Sequence, residues 1–407
     1  MSKKWITVSL LALAELLVMG LWFSATAVTP ALADAWQLDT AGVSWLTLAV
    51  QIGFVTGAFL SALFNVADVW PARHVFALGA FIAAVANVTI AVLGNGLGLA
   101  LPLRFLTGFA LAGVYPVGMK IMATWMKEDR GLGLGLLVGA LTVGSASPHL
   151  LRAFGGVDQW RSVLYLASLL AVVGGLIVWR SGTSGPFRAG RAPFRWQYVG
   201  EALRDRGVRL ANVGYLGHMW ELYAMWTWIP LFLASAYQAA GDSSWFGRRP
   251  ELAGAFMAFA VIAAGGPGSL LAGLLADRWG RSRITIASLL ISGGCAAFIG
   301  FFFRYNPWLL TVVALLWGFT IVADSAQYSA AISELSVHQY MGTALTLQTS
   351  MGFLLTLASI RLVPEMVDLL GWQWAFVVLA PGPVAGLWAM RSLQQSPHAA
   401  KLAGGRG

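Results

Sequence analysis

Glu15, Arg104, Lys120, His218, Glu221, Asp324 and Arg361 each stand inside a long apolar stretch of this 407-residue chain. An ionisable group at the centre of a membrane helix costs about 2.5–3.5 kcal/mol or more, so it is a functional candidate by default. These types move protons and hold charged solutes. A carboxylate (Glu15, Glu221, Asp324) or an imidazole (His218) exchanges a proton when its surroundings bring its affinity toward the working range. A guanidinium such as Arg104 holds an anion, or pairs with a carboxylate when the site is empty. Spacing adds direction. His218, Glu221, Met225 and Trp228 fall on one helical stripe, and so do Glu15, Met19 and Trp22. Each stripe sets a carboxylate about two turns from a tryptophan. Arg104, Gly108 and Tyr115 share a face, whereas Lys120 is turned about 160° from Arg104 on an ideal helix. His149 and Glu365 lie closer to the ends of their stretches.

The elements that carry these groups follow from composition. Only 11% of the residues are charged and 58% are hydrophobic, against about 25% charged in a soluble chain. Lipid offers the backbone no hydrogen bonds, and the apolar runs do not alternate as barrel strands do, so membrane-spanning helices are expected. Reading the runs between polar breaks gives twelve spans, at 5–31, 43–65, 74–94, 98–125, 131–151, 161–179, 210–236, 252–275, 284–303, 307–331, 343–367 and 374–391. With the N-terminus inside, loops on that side hold 18 Lys and Arg against 5 on the other. Both termini are therefore expected in the cytoplasm. The net charge of +9 sits in short loops rather than in one domain, so nucleic acid is not an expected partner. The run from Trp5 to Leu32 is long for a signal peptide and carries Glu15. Cys295, the single cysteine, reads as a small apolar residue. No P-loop, H-E-x-x-H or G-x-S-x-G pattern occurs, so neither an enzyme nor direct use of ATP is expected, and no cofactor or metal.

The chain repeats itself. Phe64–His74 (FNVADVWPARH) aligns with Gly273–Arg283 (GLLADRWGRSR), matching Ala67, Asp68 and Trp70 with Ala276, Asp277 and Trp279. Glu15–Trp22 (ELLVMGLW) aligns with Glu221–Trp228 (ELYAMWTW), and Gly108-Phe109 with Gly318-Phe319. Three matches in order at nearly constant offset point to duplicated six-span halves. The expected organisation is a bundle at 1–179, a basic cytoplasmic linker at 180–209 facing anionic lipid, a second bundle at 210–391 and a cytoplasmic tail at 392–407.

The stretch Gly273-Leu-Leu-Ala-Asp277-Arg278-Trp-Gly280-Arg281-Ser-Arg283 resembles the loop signature of the major facilitator superfamily, with a degenerate partner from Asp68 to His74. Arg104-x-x-x-Gly108 resembles a second motif of that family. The resemblance covers nearly the whole chain. It implies an all-α fold of twelve transmembrane helices in two pseudo-symmetric bundles, alternating access, and a monomer in a bacterial inner membrane. It also implies that spans 1, 4, 7 and 10 line the cavity. All the groups named at the outset except Arg361 fall in those spans. Glu15, Trp22, Arg104, Tyr115, Lys120, His218, Glu221, Trp228 and Asp324 are the expected cavity residues, with Glu221 helped by His218, or Glu15, as the proton site and Arg104 as the anion site. Gly280 is expected to allow a tight turn and Arg281 to pair with Glu334. Arg73 or Arg130 is expected to meet Asp68, Glu128 or Asp129, so that such pairs lock the cytoplasmic side. The region Gly139–Leu151 keeps Gly144 and Pro148 but departs from the glycine-proline motif of the family's drug exporters. The expected function is proton-coupled transport of a small polar or anionic organic solute. Antiport of drug-like or cationic metabolites is the alternative, and a non-transporting receptor on the same scaffold a minor third.

Overall fold

The structure is a computed structural model, and it describes residues 3–126, 130–155, 159–187, 196–241, 245, 247–337 and 341–405. Among the described residues, ten helices are long and apolar enough to cross a membrane: Lys3–Ala27 (span 1), Thr40–Leu63 (span 2), Ala72–Leu93 (span 3), Leu97–Trp125 (span 4), Leu132–Gly155 (span 5), Trp160–Ser181 (span 6), Pro250–Trp279 (span 8), Arg281–Phe302 (span 9), Pro307–Leu335 (span 10) and Ala375–Gln394 (span 12). Two more helices complete the twelve: Arg206–Ala239 (span 7) and Met341–Leu370 (span 11). They are the more polar members, since span 7 carries Asn212, His218 and Glu221, and span 11 carries Gln348, Arg361 and Glu365. Leu78, Val92, Val312, Val384 and Trp388 are exposed on the outside, as expected of helices whose solvent is lipid. Spans 1–6 and 7–12 form two bundles that meet along spans 5 and 8 and along spans 2 and 11.

The repeat is visible in the packing. Gly108 of span 4 lies against the Val50 carbonyl of span 2, and Gly318 of span 10 lies against the Val261 carbonyl of span 8. A Cβ at either glycine would overlap that carbonyl, so these crossings require glycine. Gly108→Ala and Gly318→Ala are each expected to destabilise the protein by about 1–3 kcal/mol, the usual cost of overpacking. Unfolding temperature in detergent measures this. Gly98→Ala, where a Cβ would meet nothing, is the control.

Spans 4 and 10 also break at equivalent places. Span 4 is helical over Leu97–Leu111 and Tyr115–Trp125, and span 10 over Pro307–Ile321 and Ser325–Leu335. Between the segments the backbone tightens to i→i+3 bonds, Val114 N to Leu111 O and Ser325 N to Val322 O. In span 4 the break adjoins Gly113 and Pro116, which account for it. In span 10 no proline adjoins the break, where Asp324 stands.

Candidate functional site

The second bundle holds two polar centres at mid-height. Glu221 of span 7 is 1% exposed. Its Oε1 accepts the Trp317 indole N–H at 2.6 Å and its Oε2 accepts the Ser292 hydroxyl at 3.0 Å. The carboxylate is thus held by neutral donors from spans 9 and 10. One turn earlier, His218 Nδ1 stands 2.9 Å from Asp324 Oδ1. That is ion-pair distance, but the alignment is not that of a hydrogen bond, and His218 Nε2 has no partner either. The Tyr328 hydroxyl donates to Asp324 Oδ2 at 2.8 Å. Tyr215 packs edge-on to Tyr328, with ring centroids 5.9 Å apart. The expected pairing of Glu221 with His218 is therefore corrected. Three residues along a helix turn the side chain by about 60°, which sends His218 to the break in span 10 and Glu221 to spans 9 and 10.

Among the described residues, the buried carboxylate of the first bundle is Glu15. Glu15 of span 1 is fully buried and neither oxygen has a hydrogen-bond partner. It lies over Gly118 of span 4, where a Cβ would come within 2.7 Å of Oε2. Glycine at 118 makes the room. Tyr115 of span 4 is half-buried.

Arg104 is corrected as an anion holder. It is fully buried, and it donates to the carbonyls of Leu46 at 3.2 Å, of Leu21 at 2.9 Å and of Trp22, and to the Ser24 hydroxyl at 3.4 Å. Ser24 donates to Asn87 Oδ1, and the Asn87 amide reaches the Leu164 carbonyl and the Ser168 hydroxyl. This network ties spans 1, 2, 3, 4 and 6. The guanidinium binds main-chain oxygen, about two turns along span 1 from Glu15.

The tryptophans divide. Trp22, Phe54, Tyr223 and Phe353 form one aromatic cluster across the interface between bundles, with Trp22 ring centroids 4.8 Å from Phe54, 5.7 Å from Tyr223 and 5.6 Å from Phe353. Trp228 instead donates its indole N–H to the Ile360 carbonyl of span 11 at 2.9 Å. Lys120 is exposed in the second segment of span 4.

At the loop between spans 8 and 9, Gly280 has φ 100°, a backbone conformation for which glycine is suited. Buried Arg281 pairs bidentately with Glu334 (2.9 and 2.7 Å), donates to Gln327 Oε1 at 2.9 Å and lies 3.7 Å from Asp277. Glu334 also accepts the Ala403 N–H of the C-terminal segment at 3.0 Å. These contacts stay within the second bundle, so the pair braces span 9 against span 10 and does not bridge the halves. Gly273 is buried, while Arg278 and Arg283 are exposed. Arg73 is exposed, and the side chains of Asp68 and Arg130, with Glu128 and Asp129, lie outside the described residues.

Sequence reasoning passed over Trp317, Ser292, Tyr328 and Asn87. Asn87 was findable, because an amide inside an apolar run carries the same signal as a charge. The others are ordinary span residues until their partners are known.

Two six-span bundles meeting along two span pairs, with carboxylates at mid-height, define a polytopic membrane transporter. The Major Facilitator Superfamily profile matches residues 11–266 and 212–406. The chain belongs to that superfamily, whose members are secondary transporters of small molecules and not enzymes. The glycerol-3-phosphate transporter of Bacillus subtilis is 21% identical over 365 residues, covering 81% of this chain and 79% of its own length. The proline/betaine transporter of Escherichia coli K12 is 27% identical over 144 residues, and the match spans only 29% of its length and 32% of this chain. Among solved structures, the nucleoside transporter NupG superposes with a TM-score of 0.71 at 16% identity, covering 95% of this chain and 99% of its own. The human organic anion transporter MFSD10 (TETRAN) gives 0.70 at 14% identity, covering 96% and 100%.

Proposed function

We propose that this chain is a proton-coupled transporter of a small polar or anionic organic solute, seated in a bacterial cytoplasmic membrane with both termini inside. One observation carries the reading. Glu15, Glu221 and Asp324 are buried between spans, and among the described residues none lies within ion-pair distance of a lysine or arginine. An ionised carboxylate without a cation is costly there. Whether each carries a proton is then linked to which side of the protein is open to water, and that linkage is what coupling requires. Glu221 is the central proton site, and the His218–Asp324–Tyr328 group is its neighbour. The named relatives handle zwitterions, a phosphate ester, nucleosides and organic anions, which are all small and polar and support the solute class. Expected in membrane vesicles is that Glu221→Gln loses uphill accumulation and keeps exchange down a solute gradient. Unaltered accumulation would defeat the assignment.

A cationic solute, moved by proton antiport, is the second reading. It is favoured by Arg104 being turned to main-chain oxygen, which leaves the carboxylates and the aromatic cluster without an opposing charge. Hypersensitivity of a deletion strain to several unrelated lipophilic cations would favour it.

A further inference from the structure

Span 5 hides four polar side chains on one stripe: Thr142, Ser145, His149 and Arg152, none more than 4% exposed. Thr142 is accounted for, since its hydroxyl donates to the Val138 carbonyl. His149 is not. It is 0% exposed, and neither ring nitrogen has a hydrogen-bond partner. Burying an unpaired imidazole is unfavourable, and natural proteins rarely leave such a group without use. One turn on, Arg152 gives a single N–H to the Ala27 carbonyl at 3.0 Å. No carboxylate among the described residues stands within ion-pair distance of it. Glu251, exposed at the start of span 8, is within its electrostatic reach but belongs to the other bundle. A guanidinium has five N–H donors, and among the described residues one of this one's meets a protein acceptor.

Arg152 opens on a cleft between the bundles. Thr26, Thr47 and Arg152 bound it on one side, and Thr227 and Trp228 on the other. The Thr26 and Thr47 hydroxyls are 2.7 Å apart. In this conformation the cleft is closed to about 10 Å³, roughly one water. Its walls belong to different bundles, so rocking of the halves widens it. The Arg152 guanidinium and the Thr26, Thr47 and Thr227 hydroxyls around the cleft, with the unpartnered His149 imidazole one turn behind Arg152 on span 5, offer the donor set that a compact oxyanion recruits.

We propose that Arg152 and His149 form an oxyanion subsite, taking the carboxylate or phosphate of the solute at the end of the transport path remote from Arg281. This rests on the transport reading above in its polar-or-anionic form, and it supplies the cation that Arg104 does not.

The test is the unfolding temperature of the purified full-length protein titrated with acetate, succinate and inorganic phosphate at constant ionic strength. Acetamide and succinamide are the neutral controls. At least one anion is expected to stabilise the wild type where the amides do not, and which anion does so separates carboxylate from phosphate. Arg152→Gln and His149→Asn are expected to weaken its apparent affinity by about tenfold or more, and Arg152→Lys by less. If Arg152→Gln does not fold, His149→Asn and Arg152→Lys carry the comparison. Proton coupling is tested by accumulation in membrane vesicles and this subsite by anion-dependent stabilisation, so a failure of proton coupling and a failure of this subsite are read separately. No anion stabilising the wild type beyond its amide would overturn the proposal. So would equal stabilisation in Arg152→Gln and His149→Asn.

Discussion

Glu221→Gln is expected to reduce solute accumulation in energised vesicles from tens-fold to simple equilibration. One elementary charge crossing 100 mV is worth about 2.3 kcal/mol, which sustains roughly a 50-fold gradient when one proton is coupled to one solute of no net charge; for a monoanion the pH gradient alone is the driving force. Glutamine keeps the shape: its amide oxygen can still accept the Trp317 N–H, and its NH2 can donate to the Ser292 hydroxyl that Glu221 accepts from. It cannot exchange a proton. The fold and exchange should therefore survive, while the driving force is disconnected. Asp324→Asn is a useful contrast. Asparagine retains an acceptor for the Tyr328 hydroxyl but removes the charge that faces His218. Its expected effect is a changed pH profile of transport with part of the accumulation retained. If Asp324→Asn abolished accumulation and Glu221→Gln did not, the proton site would move to the span 10 break.

Arg104→Ala is expected to lower stability more than any surface change in the chain. It removes four hydrogen bonds from a fully buried guanidinium and leaves the Ser24–Asn87 network without its anchor. Hydrogen bonds to charged groups are worth about 1.5–3 kcal/mol each in water-soluble proteins, and polar contacts between membrane helices average about 0.6. The loss then falls at about 2–6 kcal/mol. Arg104→Lys should recover only part of it, because one ammonium cannot reach carbonyls of both spans 1 and 2 in the geometry of a planar fork. Unfolding temperature reads the effect. An Arg104→Ala protein that unfolds like the wild type, yet no longer responds to anions, would restore Arg104 as the anion holder.

What the sequence made legible follows from what lipid enforces. Apolar run length marked the twelve spans, because no other backbone arrangement suits hydrocarbon. Span 7, expected at 210–236, extends over Arg206–Ala239 because Asp205 caps its start by accepting the Val208 N–H. The turn at Gly280 and the Arg281–Glu334 pair were also readable, since a glycine at a turn and opposite charges at span ends leave few other roles. Partnership inside the bundles was not. Glu221 meets Trp317, and His218 meets Asp324, across helices whose mutual rotation no single-span pattern contains. Arg104 failed as an expectation for the same reason. Its residue type announced a buried charge, but only the crossing of spans 1, 2 and 4 shows that main-chain oxygen surrounds it. The break in span 10 lacks the glycine and proline that mark its partner in span 4, and so left no local sign.

The most direct test of proton-coupled transport is the internal pH of proteoliposomes, followed with a trapped dye, when a solute that stabilises the purified protein is added outside with no other gradient imposed. The account predicts a pH change in the wild type that scales with solute, is absent in Glu221→Gln, and is accompanied in that variant by undiminished solute exchange. Solute entry with no pH change in the wild type, or the same pH change in Glu221→Gln, would contradict it.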